Sequence, residues 1–156
     1  MIYTFQYSLK RYDTDKVIYL DRDGVLNKKI EDGYVLLPDQ LEIINPGLVQ
    51  KCLDATPYVI IVSNQRCIDK ELLTVDQLRE IDFALRNRVG ELYASLYATG
   101  EDCKPSPKMI YHARKILGFH GIEIMIGDSQ SDKECAEAAG IHFIWADESL
   151  QLNCRC

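Results

Sequence analysis

The sequence predicts an α/β domain with a central parallel sheet and helices on its faces. Three observations carry that expectation. Strand and helix patterns alternate along the chain, which favours parallel strands joined by crossover helices. The apolar runs at residues 17–20, 58–62 and 122–126 read as buried strands. Each of these runs ends in a polar cluster, at the place where open α/β sheets put their ligands.

The elements follow in order. Residues 2–9 alternate, with Tyr3, Phe5, Tyr7 and Leu9 on one side, and predict an extra edge strand within an N-terminal extension, residues 1–13. Residues 17–20 form the strand that carries Asp21 and Asp23 just past its end, and Gly24, without a Cβ, lets the chain turn there. Residues 28–45 contain Gly33 and Pro38 and read as a loop with a short extended piece at 41–44. Asn45-Pro46 predicts a helix start, an N-cap followed by proline at the first helical position. That helix runs to about Asp54 and packs Leu48, Val49, Cys52 and Leu53. The strand at 58–62 ends at Ser63-Asn64-Gln65.

Thr74-x-x-Gln77 is a capping box, and the helix after it places Leu78, Ile81, Leu85, Val89 and Leu92 at helical spacing. A short strand at 93–97 leads to a loop at 98–105. Ser106-Pro107 opens a helix with Met109, Ile110, Ala113, Ile116 and Leu117 inward and Gly118 as its stop. The strand at 122–126 ends at Gly127-Asp128. Ser131-x-x-Glu134 predicts the cap of the next helix, which stops at Gly140, and 141–145 is the last strand. Residues 148–156 are expected to be a flexible tail. The whole chain, 1–156, reads as one domain. No large cap domain is expected, because the stretches after Asp23 and Gln65 hold no insertion long enough to fold alone.

Composition narrows the function classes. The chain has 156 residues, enough for one real core, and its 47% apolar and 27% charged content is that of a globular protein. A net charge of -6 and the lack of a basic stripe argue against nucleic acid as partner. No apolar run approaches the roughly 20 residues needed to span a membrane, and the N-terminus lacks the order of a signal peptide, so a cytoplasmic location is expected. The six cysteines show no Cys-x-x-Cys spacing. Cys52 and Cys135 read as small apolar residues in helices, Cys154 and Cys156 as free thiols on the tail.

The chemistry gathers at the strand ends. Asp21/Asp23, Ser63/Asn64 and Asp128/Asp132 follow three strands, and Lys104 lies just before a helix start. Neighbouring strands would bring all of them to one edge of the sheet. That grouping suits phosphoryl transfer, which is mostly positioning and charge neutralisation. Mg2+ takes oxygen ligands, and Asp21, Asp128 and the backbone carbonyl of Asp23 offer three. Ser63, Asn64 and Lys104 are placed to hold the phosphate oxygens. Read blandly, Asp132 is equally a partner for its helix dipole. Lys108, one helical step on, reads as a solvated helix residue.

Asp21-x-Asp23, Ser63-Asn64, Lys104 and Gly127-Asp128-x-x-x-Asp132 resemble, in order and spacing, the four motifs of the haloacid dehalogenase (HAD) superfamily. The longer strings 21–27, Gly33-Tyr34-Val35, Ser63-Asn64-Gln65 and Lys104-Pro105-x-Pro107-x-Met109 resemble the branch of histidinol-phosphate and heptose bisphosphate phosphatases, over roughly residues 16–147. The resemblance implies a Rossmann-like three-layer core and an enzyme, a phosphatase. It implies Asp21 as nucleophile forming an aspartyl-phosphate, Asp23 as general acid and base, and Lys104 as the neutralising cation. It implies phosphate held by Asp21, Arg22, Asp23, Ser63, Asn64, Gln65 and Lys104. Mg2+ is implied at Asp21, Asp23 and Asp128, with Asp132 in support.

The chain also departs from that branch. Zinc-containing members carry a Cys/His cluster before the Lys motif; here only Cys103 stands there, so no zinc is expected. Cys103 replaces a common Arg, Arg66-Cys67-Ile68 replaces a Ser-Gly-Ile segment, and Ser129 replaces a common Lys or Arg. The expected substrate is a small phosphorylated metabolite, a sugar phosphate such as a heptose bisphosphate, or histidinol phosphate. The expected protein is a monomer or homodimer. Two other readings stay open: a phosphatase of nucleic-acid ends, and a non-catalytic binding module. The second has no physical need for so many like charges at one sheet edge.

Overall fold

The computed structural model describes residues 1–118 and 121–149. Its core is a Rossmann-like six-stranded sheet. The strands are β1 (Ile2–Gln6), β2 (Lys16–Leu20), β3 (Val59–Asn64), β4 (Ala94–Ala98), β5 (Ile122–Gly127) and β6 (His142–Trp145). They lie in the order β1-β4-β3-β2-β5-β6. All neighbours pair in parallel except β1, which runs antiparallel to β4 at the edge.

The helices are α1 (Leu48–Ala55), α2 (Arg66–Asp69), α3 (Val75–Val89), α4 (Lys108–Leu117), α5 (Gln130–Ala139) and α6 (Ala146–Ser149). They form two layers. Leu48, Val49, Cys52, Leu78, Ile81 and Leu85 of α1 and α3 pack on Ile18, Leu20, Val59, Ile61 and Ile126. Met109, Ile110, Ala113 and Leu117 of α4, with Cys135 and Ala136 of α5, pack on Val17, Tyr19, Ile60, Val62 and Met125. Successive residues of β2, β3 and β5 thus enter opposite cores, because side chains alternate across a strand. Each fully buried aliphatic side chain contributes about 1.5–3 kcal/mol.

The chain lays β2, β3 and β4 to one side and then crosses back to place β5 and β6 on the other. The order therefore reverses at β2, and the crevice outside its carboxyl end is the sheet's switch point.

Several local expectations shift. The edge strand stops at Gln6, so Leu9 lies outside it and is exposed. Asn45 does not cap α1: it sits at φ 50, its amide donates to the Val25 carbonyl at 2.9 Å, and the helix begins at Leu48 with Gly47 as cap. Helix α3 ends at Val89 with Gly90 beyond it, so Leu92 is buried after the helix rather than on it. The cap of α5 is Ser129 with Asp132, two residues before the expected pair, and Ser129 Oγ accepts from the Asp132 N–H. Helix α2 was not foreseen; four residues are too few for a periodic pattern. The expected pieces that hold are the Thr74/Gln77 capping box and the left-handed stops at Gly118 and Gly140. The tail beyond residue 149, with Cys154 and Cys156, lies outside the described residues.

Candidate active site

The loop after β2 is closed by its own backbone. Val25 and Leu26 donate to the Arg22 carbonyl at 3.2 and 2.8 Å, and both side chains are buried. Gly24 stands at φ +90, and a Cβ there would come within 1.9 Å of Asp128 Oδ2. Glycine is thus required twice, by its conformation and by the close approach of β5's carboxylate.

Lys104 is the hub of the charges. It is 2% exposed, yet its ammonium reaches Asp21 Oδ1 at 2.9 Å, Asp132 Oδ1 at 2.6 Å and the Val62 carbonyl at 2.8 Å. Asn64 holds the backbone of Lys104 at both ends, accepting from its N–H at 2.7 Å and donating to its carbonyl at 3.0 Å. The Asp21 N–H donates to the Ile126 carbonyl, and Asp21 Oδ1 accepts the Arg22 N–H at 2.9 Å. Asp132 is spoken for on its other oxygen too, which accepts the N–H groups of Asp128 and Ser129 at 3.0 and 3.2 Å.

Asp21, Asp128 and Asp132 present carboxylate oxygens that all lie within 4.8 Å of one another. Asp128 is the loosest, with Lys29 at 3.8 Å. With Asp132 committed to Lys104 and to two amides, Asp21 and Asp128 are the pair left to face a cation. The donor set is all hard oxygen, as Mg2+ requires.

Charge balance points the same way. Burial pushes the Asp21 carboxyl up, to about 8, against the pull of Lys104 and with help from Asp132 and Asp128. Three carboxylates beside one buried ammonium leave the site short of positive charge, a setting that a divalent cation would fit. Lys104 is pushed down by burial, but Asp21 and Asp132 outweigh this and hold its pKa above the ordinary lysine value. Asp132 is raised by burial and held below the ordinary range by Lys104 and its hydrogen bonds.

Asp23 faces a different set of groups. Arg22 Nε and Nη2 reach its Oδ1 at 3.3 and 3.1 Å, and Asn27 donates to the same oxygen at 2.9 Å. Its Oδ2 has only longer contacts, from Arg22 Nη2 at 3.3 Å and Gln65 at 3.5 Å. Burial raises its pKa, but Arg22 and these donors prevail and the carboxyl lies below its usual range. The two carboxyls of the Asp-x-Asp pair are thus driven in opposite directions.

The structure brings Asp21, Lys104, Asp128 and Asp132 together, with Asp23 beside them on Arg22. Arg22, expected at the phosphate, has its guanidinium fully buried against Asp23, and its N–H is what reaches Asp21. Ser63 and Gln65 are buried and bonded to each other, Gln65 Nε2 to Ser63 Oγ at 3.2 Å. Two contributors were missed. Asn27, which donates to Asp23, follows the Asp pair on the same loop and carried no assigned role. The Val62 carbonyl, which accepts from Lys104, has no sequence signature.

Comparisons fit this arrangement. Residues 91–146 match the family model described as haloacid dehalogenase-like hydrolase. The chain is 32% identical to a D-glycero-alpha-D-manno-heptose-1,7-bisphosphate 7-phosphatase of Photorhabdus laumondii, covering 81% of this chain and 79% of that one. It is 32% identical to the D-glycero-beta-D-manno-heptose-1,7-bisphosphate 7-phosphatase of Pasteurella multocida, over 81% and 78%. The chain belongs to the HAD-like hydrolases. Within them it falls in the branch of the heptose bisphosphate phosphatases and is a phosphatase. Its fold matches the crystal structure of D,D-heptose 1,7-bisphosphate phosphatase from B. bronchiseptica complexed with magnesium and phosphate. The TM-score is 0.74, with 24% identity over 88% of this chain and 86% of that one. A HAD-like phosphatase structure from Mesorhizobium loti aligns with a TM-score of 0.76 at 18% identity, over 90% and 76%. Among the described residues no helix is long and apolar enough to cross a membrane.

Proposed function

We propose that the protein is a Mg2+-dependent phosphomonoesterase that hydrolyses a small sugar phosphate through an aspartyl-phosphate on Asp21. Its first candidate substrate is a heptose bisphosphate, the substrate named for its relatives. The observation that carries this is the contact of Lys104 with Asp21, 2.9 Å long, beside Asp128 at the switch point of the sheet.

In this reading Asp21 and Asp128 would hold the metal together with the Asp23 backbone carbonyl, while Asp132 fixes Lys104 and the Asp128 loop. Bound there, the metal would supply charge neutralisation at the phosphate and beside Asp21. Lys104 and the Arg22 N–H hold Asp21 Oδ1, which leaves Oδ2 to attack phosphorus. The Asp21 oxygen–phosphorus bond forms, the bond from phosphorus to the sugar oxygen breaks, and Asp23 gives that oxygen a proton through Oδ2. Asp23 then takes a proton from water, the water oxygen bonds to phosphorus, and inorganic phosphate leaves as Asp21 is restored. Arg22 and its other donors hold Asp23 below its usual range, which suits the base of the second step; as acid in the first it enters protonated on Oδ2, the oxygen with the looser contacts.

The reading assigns no zinc. The loop before Lys104 offers Cys103 alone, and its buried thiol lies 3.3 Å from the Ala98 carbonyl. The net charge of -6 favours a small metabolite over nucleic-acid ends.

Phosphate release from heptose 1,7-bisphosphate, histidinol phosphate and a panel of sugar phosphates, with Mg2+ and with EDTA, tests it. The expected result is turnover that needs Mg2+ and disappears in Asp21→Asn. Turnover that survives in Asp21→Asn overturns the nucleophile assignment. No turnover on any phosphomonoester leaves the binding-module reading in its place.

A further inference from the structure

Asp23 is not held by its loop alone. Behind it lies a buried line of polar side chains that the proposed chemistry does not use. Arg22 is 0% exposed and has its guanidinium over the Tyr97 ring, 5.6 Å from the centroid. Its Nη1 is buried without a hydrogen-bond partner, so the ring face and Asp23 are what fix its plane. Tyr97 on β4 donates its hydroxyl to Asp82 Oδ1 at 2.5 Å. Tyr7, just past β1, donates to Asp82 Oδ2. Asp82 is 0% exposed on the sheet-facing side of α3. Four elements thus meet in one chain of contacts: the N-terminal segment, α3, β4 and the loop after β2.

Such a line is costly to bury. A carboxylate and a guanidinium inside a core each lose several kcal/mol of hydration, and only matched partners offset that. Nothing about packing this sheet requires the pair, since Leu78, Ile81 and Leu85 already fill the same face of α3. The outward end of the line is a reacting group. Arg22 grips Asp23 Oδ1 with two nitrogens and leaves Oδ2 with the looser contacts. A guanidinium fork sets the direction of a carboxylate as well as its charge.

We propose that Asp82 and Tyr97 are positioning residues for the proton transfer: they fix the Arg22 plane, and through it aim Asp23 Oδ2 at the leaving oxygen, with Tyr7 tying the N-terminal strand into the same apparatus. This rests on Asp23 being the proton-transfer group of the proposed phosphatase.

Proton donation to a leaving group matters in proportion to how poor that group is, and this gives a readout that mere loss of structure does not move. The probes are p-nitrophenyl phosphate, whose phenolate leaves readily, and phenyl phosphate, whose phenolate needs the proton more. Both are independent of the natural substrate. The variants are Tyr97→Phe, Asp82→Asn and Asp23→Asn, with the double variant Tyr97→Phe/Asp23→Asn. Tyr97→Phe keeps the ring and loses only the hydroxyl, so the measurement stands even if Asp82→Asn folds poorly.

The expected result for Tyr97→Phe is a fall in kcat/KM of about tenfold on phenyl phosphate, as for a modest misplacement of a catalytic group, with a much smaller fall on p-nitrophenyl phosphate; kcat/KM reports the steps up to the aspartyl-phosphate, before the hydrolysis that both probes share. In the Asp23→Asn background, Tyr97→Phe should change nothing further, because the group it aims is already lost. Equal falls in kcat/KM on both probes, or a fall that adds in full to that of Asp23→Asn, would overturn the positioning role. If Asp23→Asn itself shows no dependence on leaving group, the assignment of Asp23 fails, and the inference falls with it. A leaving-group effect in Asp23→Asn alone overturns only the inference.

Discussion

β2 and β5, side by side, carry two buried charge clusters that are built on opposite principles. On the first residues of β5, Glu123 accepts Arg114 Nη2 at 2.7 Å and Arg114 Nε at 3.1 Å, and the Tyr19 hydroxyl donates to it at 2.7 Å. One anion meets one cation, and both carboxylate oxygens of Glu123 are engaged. At the carboxyl ends of the same strands, Asp21 and Asp132 share the buried ammonium of Lys104, and Asp128 beside them faces the exposed Lys29 at 3.8 Å. The first cluster is complete as the chain folds. The second carries excess negative charge and comes into balance only when something positive arrives. Buried ion pairs that are matched on the spot serve structure, and clusters left unbalanced at a sheet's switch point serve ligands.

Asp21→Asn breaks the comparison hardest. It removes one of the repelling carboxylates, so turnover should fall by at least about a thousandfold while the metal-free thermal midpoint holds or rises. Phosphate release and a thermal melt on the same sample check it. A lower midpoint would mean the site cluster is structural after all.

Gly24→Ala attacks the site through the backbone. The new Cβ would fall 1.9 Å from Asp128 Oδ2 at φ +90, so Asp128 must move. Activity should drop by about a hundredfold, as for a misplaced catalytic constellation. Mg2+ is expected to raise the melting temperature of the wild type and not that of this variant.

Glu123→Gln gives the opposite pattern. It leaves the Arg114 charge without its partner and should cost about 2–3 kcal/mol of stability, somewhat under the range for breaking a fully buried pair because Arg114 is partly exposed. kcat and KM should stay at wild-type values. Denaturant unfolding with parallel kinetics checks it, and a large loss of kcat would erase the distinction between the clusters.

Arg66→Ala is the mildest. Arg66 is exposed at the start of α2, near enough to Cys103 to pull against the burial that raises that thiol. Placed at the rim, it is expected to contact a second anionic group of the substrate, so KM should rise several-fold with little change in kcat. An unchanged KM on the true substrate excludes that contact.

Most of the fold was legible because burial on both faces leaves a plain mark. The runs at 17–20, 58–62 and 122–126 are β2, β3 and β5 within a residue or two, and capping boxes and terminal glycines marked α3, α4 and α5. The misplaced caps show the limit of local signals. Asn45 and Ser131 look like caps, but Asn45 found a tertiary partner in Val25, and Ser129, two residues before Ser131, takes the Asp132 N–H. Cap motifs report what a residue can do locally, and tertiary contacts choose among the candidates.

For the site, residue types and spacing by themselves determined that Asp21, Asp23, Lys104 and Asp128 would gather at one sheet edge. Short motifs after strands end at the same edge whenever the strands run parallel. The tertiary structure alone decided the rest of the pairing: Asp132 joining Asp21 on Lys104, and Arg22, the neighbour of Asp23, lying over Tyr97, which donates to Asp82. These partners lie up to 83 residues apart, as Lys104 and Asp21 do. No local pattern encodes such pairs, because a charge is neutralised by whatever the packing of the core brings within a few ångströms of it.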